Sequence, residues 1–363
     1  MIKVRWHRQM WLAAPAAVVV TVLGLTVQAQ AQAQANPPAR STTPATMTKS
    51  LRSLDEERPA TVGGRWVVSD PVAYRQAVKT GDWVRTPHGL SYKTCVYHAP
   101  DHAVVGNTEI VAPSGAIQRI TPCTHPTLLY PGSAEPGTLG HRTSKPAEGT
   151  PCGFGSGGDY WAASCNGSAP DWITSFDQEY AVPSNPAKDG ALIFLWGGIE
   201  DADGDTLLQD VLTWGANGTI VTNPNIWYVT PWYLWPGNNS VIGKSIHVNP
   251  ADTIVADLTA SKCSSGGACT WVLKSTDKNT GGSTSYTVGS DATFDLLLGS
   301  VMEVPRAAGC VETPTNGHAA FRNLTVTSNA GTISPDFGTS KPDPQCSISI
   351  TQSATSADIL WKP

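Results

Sequence analysis

The sequence predicts an all-β fold: a two-sheet jelly-roll sandwich with a disulfide-stapled N-terminal extension. Three observations predict it. From Trp161 onward, short apolar runs recur at roughly 10- to 15-residue intervals, with Gly, Asn, Asp or Pro between them. Within TIVADLTA, Ile254, Ala256, Leu258 and Ala260 alternate with polar residues, which is the period of a half-buried strand. Only 15% of the residues are charged, while Gly (34) and Pro (28) are abundant, a mix that suits short strands and turns and disfavours long helices. No helix-length stretch of period 3.6 lies between the runs, so a sandwich fits better than a parallel α/β sheet.

Residues 1–35 have the make-up of an export signal. Lys3, Arg5 and Arg8 precede an apolar run from Trp11 to Val27, and AQAQAQA offers Ala-x-Ala cleavage sites ending at Ala35. Pro15 interrupts the run, which favours cleavage over a retained anchor, so a secreted chain starting near Asn36 is expected. Residues 36–88 form a polar leader, partly disordered, with a turn or two of helix around DPVAYRQAVKTGD. Residues 89–165 make a small stapled β extension with a hairpin turning at PSG. Residues 166–330 hold the sandwich, and 331–363 a last strand and tail.

The formal charge is -5, and removing three cations with the signal makes it more negative. A mildly acidic domain without Lys/Arg clusters has no electrostatic reason to bind nucleic acid. No later run is long enough to cross a bilayer, so no membrane contact is expected after cleavage, and the chain is expected to be a monomer. Eight cysteines follow the signal, an even number that argues for bridges in an exported chain. Pairing of neighbours is the simplest connectivity: Cys95–Cys123, Cys152–Cys165, Cys263–Cys269 and Cys310–Cys346. No CxxC occurs, which speaks against zinc.

Three segments can carry chemistry. In LWGGIEDADGDTLLQDVLTWG, Trp196, Gly198 and Glu200 share one strand face, and Gln209 lies between apolar neighbours on the next strand. NIWYVTPWYLW packs Trp227, Tyr228, Trp232, Tyr233 and Trp235 into nine positions, a density that suits a substrate groove or a core. In LLLGSVMEVPR, Glu303 stands among Val301, Met302 and Val304, where a carboxylate is costly unless paired or functional. The alternating Asp201, Asp203 and Asp205 read as a solvated turn, and His98 with His102 lacks a third metal ligand.

In order, YAVPS, WGGIE, TLLQDVLTWG, WYVTPWY, VNPADTI, GSVMEV and AAFRNLTVT resemble the glutamic peptidase (eqolisin) family over residues 175–328. The resemblance implies a concanavalin A-like sandwich and a secreted, acid-acting endopeptidase. Gln209 would orient water and stabilise the oxyanion, and Glu303 would act as general base, with no cofactor and no metal. Trp196, Glu200, Tyr228, Trp232 and Tyr233 would contact a protein or peptide substrate. Glu200 stands where the family has Asp, and the family's two-Glu strand keeps one Glu. Two other readings suit the same residues: a lectin-like carbohydrate-binding module, and a glycosidase using Glu200 and Glu303 as its carboxylate pair.

Overall fold

The computed structural model describes residues 66–87, 89–131, 153–157, 160–218, 225–235, 237–335, 337 and 346–363. The export-signal segment and Cys152 lie outside them. Among the described residues, no helix is long and apolar enough to cross a membrane.

The chain starts with β1 (Val67–Val68), helix α1 (Pro71–Thr80), β2 (Trp83–Thr86), β3 (Gly89–Tyr92), β4 (Val96–His98), β5 (Ala103–Val105), β6 (Glu109–Val111), β7 (Ile117–Arg119) and β8 (Thr127–Leu128). Next come β9 (Gly153–Gly157), β10 (Tyr160–Ser168), β11 (Ile173–Ala181), β12 (Leu192–Asp201), β13 (Leu207–Trp214), β14 (Trp227–Trp235), β15 (Asn239–Ile242) and β16 (Ile246–Val248). The rest are β17 (Thr253–Ser261), β18 (Cys269–Asp277), β19 (Ser283–Ser290), β20 (Phe294–Arg306), β21 (His318–Ser328), β22 (Gly331–Ile333), β23 (Ser349–Gln352) and β24 (Ala357–Leu360). Helix α1 starts where Asp70 accepts from the Val72 amide at 2.8 Å with Pro71 behind it, and stops at Gly81, whose φ of 71° suits glycine.

Two sheets stack as a sandwich. The first, here the groove sheet, runs β4-β15-β14-β13-β12-β20-β10-β9, with β16 beside β14. The second, the outer sheet, runs β23-β24-β21-β11-β17-β18-β19-β5-β6-β7, with β22 beside β21. The core between them joins Leu195, Leu212 and Val229 of the groove sheet to Phe176, Leu258 and Leu273 of the outer one. Each such side chain contributes about 1.5–3 kcal/mol on burial. A third, small sheet, β1-β8-β3-β2, packs with α1 around Ala77, Trp83, Leu90, Leu128 and Tyr130.

Residues 89–165 do not stand apart from the sandwich. β4 pairs in parallel with β15 (Val96 opposite Ser240), and β5 with β19 (Ala103 opposite Tyr286). Both strands cover sheet edges that would otherwise leave backbone groups unpaired. Of the expected bridges, Cys95–Cys123, Cys263–Cys269 and Cys310–Cys346 form, with Cα separations of 5.1, 4.1 and 5.5 Å. Cys165 is also disulfide-bonded.

A carboxyl lies in the interior between the sheets. Asp210 points from β13 into the space between the sheets, where it accepts hydrogen bonds from Tyr180 (3.0 Å) and Ser275. Burial pushes its pKa from 3.8 to about 7, although both hydroxyls pull the other way. On the outer sheet, Asp177 faces Asp257 directly across β11 and β17. Partial burial and then the Asp257 charge push the pKa of Asp177 to about 6. Because both folded values lie above the ordinary one, the folded protein holds these protons more tightly than the unfolded chain does. Stability is then greatest below about pH 4 for these groups and falls as pH rises towards 7, for Asp210 by at most about 4 kcal/mol. In chemical denaturation across pH 4–7, Asp210→Asn should show a smaller loss of stability than the parent. Superimposable profiles would contradict this.

Candidate functional site

Strands β12, β13 and β14 are buried along nearly their whole length on both faces. One face meets the outer sheet. The other, the concave face, carries Leu192, Phe194, Trp196, Leu207, Val211, Trp232, Leu298 and Val301 in a second apolar cluster. Alternation puts Gln209, Thr213, Tyr228, Thr230 and Glu303 on that same face.

Glu303 is 4% exposed, and the Trp196 indole Nε1 donates to its Oε2 at 3.1 Å. Trp196 itself lies opposite Val301, so its ring leans along the face to reach the carboxylate. The register then lays out a row across the sheet. Glu303 is opposite Phe194, Phe194 opposite Thr213, Thr213 opposite Tyr228, and Tyr228 opposite His247. Phe194 forms the floor between Glu303 and Thr213.

Gln209 does not lie beside Glu303, which corrects the expected adjacency. It is opposite Gly198 and Trp232, four residues along β12 from the row of Glu303 and two strands over. That is about 13 Å along the strand and 10 Å across. Gln209 is fully buried, and both polar atoms of its amide lack a hydrogen-bond partner, as does the Trp232 indole beside it. The hydroxyls of Thr213 and Tyr228 also lack a full hydrogen bond, although Thr213 lies near enough to ease the ionisation of Tyr228, which burial opposes more strongly. Glu200 shares the concave parity but sits six residues from Phe194, about 20 Å from Glu303 along the strand. A glycosidase needs its carboxylates roughly 5–9.5 Å apart, so Glu200 and Glu303 do not form such a pair.

Tyr233 also needs correction as a groove residue. It faces the inter-sheet core with Trp227 and Trp235, stacked on Trp235 at 5.0 Å, and burial pushes its phenol up to about 12. Strict alternation within β14 leaves Tyr228 and Trp232 on the concave side. Asp201 closes the turn before β13 by accepting from the Asp205 and Thr206 amides at 2.8 and 3.1 Å. Among the described residues, no cluster of His, Cys, Asp and Glu has metal-binding proximity.

A layer covers the concave face. Val84 of β2 joins the apolar cluster containing Trp196, Val211 and Trp232. The Arg85 amide donates to Asn217 O at 3.0 Å, beyond the end of β13. Asn238, in the turn before β15, donates to Trp66 O and His125 O and accepts from the Trp66 amide. Arg85 also approaches Arg306, whose pKa is lowered first by burial and then by that like charge. Neither this cover nor Thr213 was flagged by the sequence, although Thr213 shares the parity of Gln209.

The fold and site together define a β-sandwich with a covered, largely apolar concave face that carries a buried carboxylate and several polar side chains. No family model and no curated protein matches the chain. Among solved structures, it is similar to scytalido-glutamic peptidase with a peptide-based transition-state analogue, at 16% identity and a TM-score of 0.40, covering 56% of this chain and 98% of that one. It is also similar to the same peptidase with a transition-state analogue inhibitor (17%, 0.39, 55% and 98%). A third is SCP-B, a member of the eqolisin family of peptidases, with the tripeptide Ala-Ile-His (16%, 0.38, 56% and 98%). The likeness is distant and assigns no residue.

The Trp196 bond to Glu303 has a direct consequence. An N–H donor favours the ionised carboxylate. In a carbon-detected NMR titration, Trp196→Phe should therefore raise the pKa of Glu303. An unchanged or lower value would mean that the indole does not hold the carboxylate.

Proposed function

We propose that the chain is a secreted, acid-acting endopeptidase that binds peptide along the concave face and uses Glu303 to activate the attacking water. The observation that carries the reading is Glu303: a carboxylate buried on a largely apolar face and oriented by an indole N–H. A buried carboxylate is costly unless it is paired or put to use. As general base, Glu303 takes a proton from water while the water oxygen bonds to the peptide carbonyl carbon. It returns that proton to the amine as the C–N bond breaks. Thr213, in the row of Glu303, donates its hydroxyl to the developing oxyanion, the role expected of Gln209. Gln209 and Trp232, unpartnered further along the face, are matched to the backbone of a bound peptide.

A second reading is peptide binding without cleavage, and Phe194, standing between Glu303 and Thr213, favours it. Purified protein incubated with a denatured protein substrate across acidic pH separates the two. Glu303→Gln should lower the rate at least about 100-fold with circular dichroism unchanged, and Thr213→Val by a similar factor. Gln209→Ala should act mainly on KM. Binding without any cleavage by the parent selects the second reading.

The cover implies a further outcome under the same reading. A charge in the apolar contact of Val84 is unfavourable, so Val84→Asp should loosen β2 from the face. Its initial rate of acid proteolysis should exceed that of the parent. A rate no higher, in a folded variant, would show that β2 does not limit access.

A further inference from the structure

The row that begins at Glu303 ends in a cavity. Beyond Thr213 the concave face opens into a space of about 520 Å³ bordered by His98, Ile226, Tyr228, Lys244, Ser245 and His247. Its titratable groups are His98 from β4, Tyr228 from β14, His247 from β16, and Lys244 from the link between β15 and β16, and no carboxylate is among its walls. Lys244 is exposed and makes no ion pair among the described residues. Tyr228 is 1% exposed, and its hydroxyl lacks a full hydrogen bond, although Thr213 lies near it. Ser245 Oγ accepts from Thr230 at 2.9 Å, which leaves its own proton to donate. The cavity thus offers the Lys244 ammonium, the Tyr228 and Ser245 hydroxyls and the His247 imidazole, with no carboxylate among its walls.

We propose that this cavity is a subsite for a carboxylate of a bound peptide, supplied either by an Asp or Glu side chain or by the chain's C-terminus. The proposal rests on reading the concave face as a peptide groove. Tyr228 is three strands from Glu303 along the row, about 14 Å, and an extended peptide advances about 3.3 Å per residue. The carboxylate therefore belongs about four residues from the bond facing Glu303. Burial lowers the pKa of His98, so Lys244 carries the fixed charge of the site.

The test uses the folded Glu303→Gln protein, so that bound peptide is not consumed. Three otherwise identical peptides are compared by calorimetry: one with Glu four residues from its centre and an amidated end, its Gln isostere, and the Gln isostere with a free C-terminus in the same place. A carboxylate-bearing peptide should bind at least about 10-fold tighter than the amidated Gln peptide, the scale of a charge-assisted hydrogen bond. Which of the two gains affinity identifies the source. Lys244→Ala should remove that preference while leaving the affinity of the Gln peptide unchanged, and Tyr228→Phe should reduce the preference. Because β2 covers part of the groove, N-acetylglutamate amide is measured as well. It should move the His247 ring resonances, and N-acetylglutamine amide should not. Equal binding of all three peptides overturns the subsite and leaves the groove standing. Binding of the small acid with no peptide binding keeps the carboxylate site and overturns the groove. No response to any probe overturns both.

Discussion

Glu303 reaches the concave face because of a bulge in β20, one of three register shifts along its pairing with β12. Opposite β12, Val301 matches Trp196 and Leu298 matches Gly198, so three steps along β20 answer two along β12. Opposite β10, Ser300 matches Cys165 and Leu298 matches Asn166, which isolates Gly299 as the bulged residue. The bulge inverts the alternation that follows it. Without it, Glu303 would point between the sheets, as Met302 now does. Gln178, reaching across from β11, donates to the Gly299 carbonyl and fixes the bulge. A side chain at Gly299 would collide with Phe337 and Gln352, and one at Gly197 with Phe176 and Gln178. Two glycines and one glutamine thus set which residues share a row with the carboxylate.

The second constraint is that the central strands have no free face. With the outer sheet on one side and Val84 on the other, every polar group of β13 and β14 is taken out of water. A polar residue there must be bonded or held for a ligand. Asp210 takes the first course through Tyr180 and Ser275. Gln209, Thr213 and Tyr228, all on the other face, do not. Unpartnered groups thus lie on both faces: Gln209, Thr213 and Tyr228 under the small sheet, and the indoles of Trp214, Trp227 and Trp271 in the core between the sheets.

This explains how much the sequence revealed. Strands of the outer sheet alternate cleanly, as in β17, because one face meets water. The PSG turn located the small hairpin of β6 and β7, and pairing of neighbouring cysteines gave the three bridges described. In β12 to β14 both faces are apolar, so composition marked the strands without marking a side. Parity still placed Trp196, Glu200 and Gln209 on one face correctly, and would have excluded Tyr233 from the face of Tyr228 and Trp232. The position of Glu303 was beyond such reasoning. Its distance from Gln209 depends on strand order and on a one-residue bulge, neither of which leaves a periodic trace. The cover was invisible for a related reason: Val84 lies in a short, unremarkable strand whose contact is more than a hundred residues away.

The buried carboxyls tie the fold to the conditions in which the site would act. Asp210 sits between the sheets and Asp177 faces Asp257, and both hold protons at a pH where an exposed carboxyl would not. Protonation removes a buried charge in one case and a like-charge repulsion in the other, so each favours the folded state in mild acid. Cysteine bridges at the β4, β18 and C-terminal ends act independently of pH and hold the sheets whatever the state of those groups. At Arg85 and Arg306 the opposite logic applies. The two approach each other where the small sheet joins the groove sheet, with the Glu312 carboxylate also acting on Arg306. Acid thus relieves strain inside the sandwich but not at the seam with its cover.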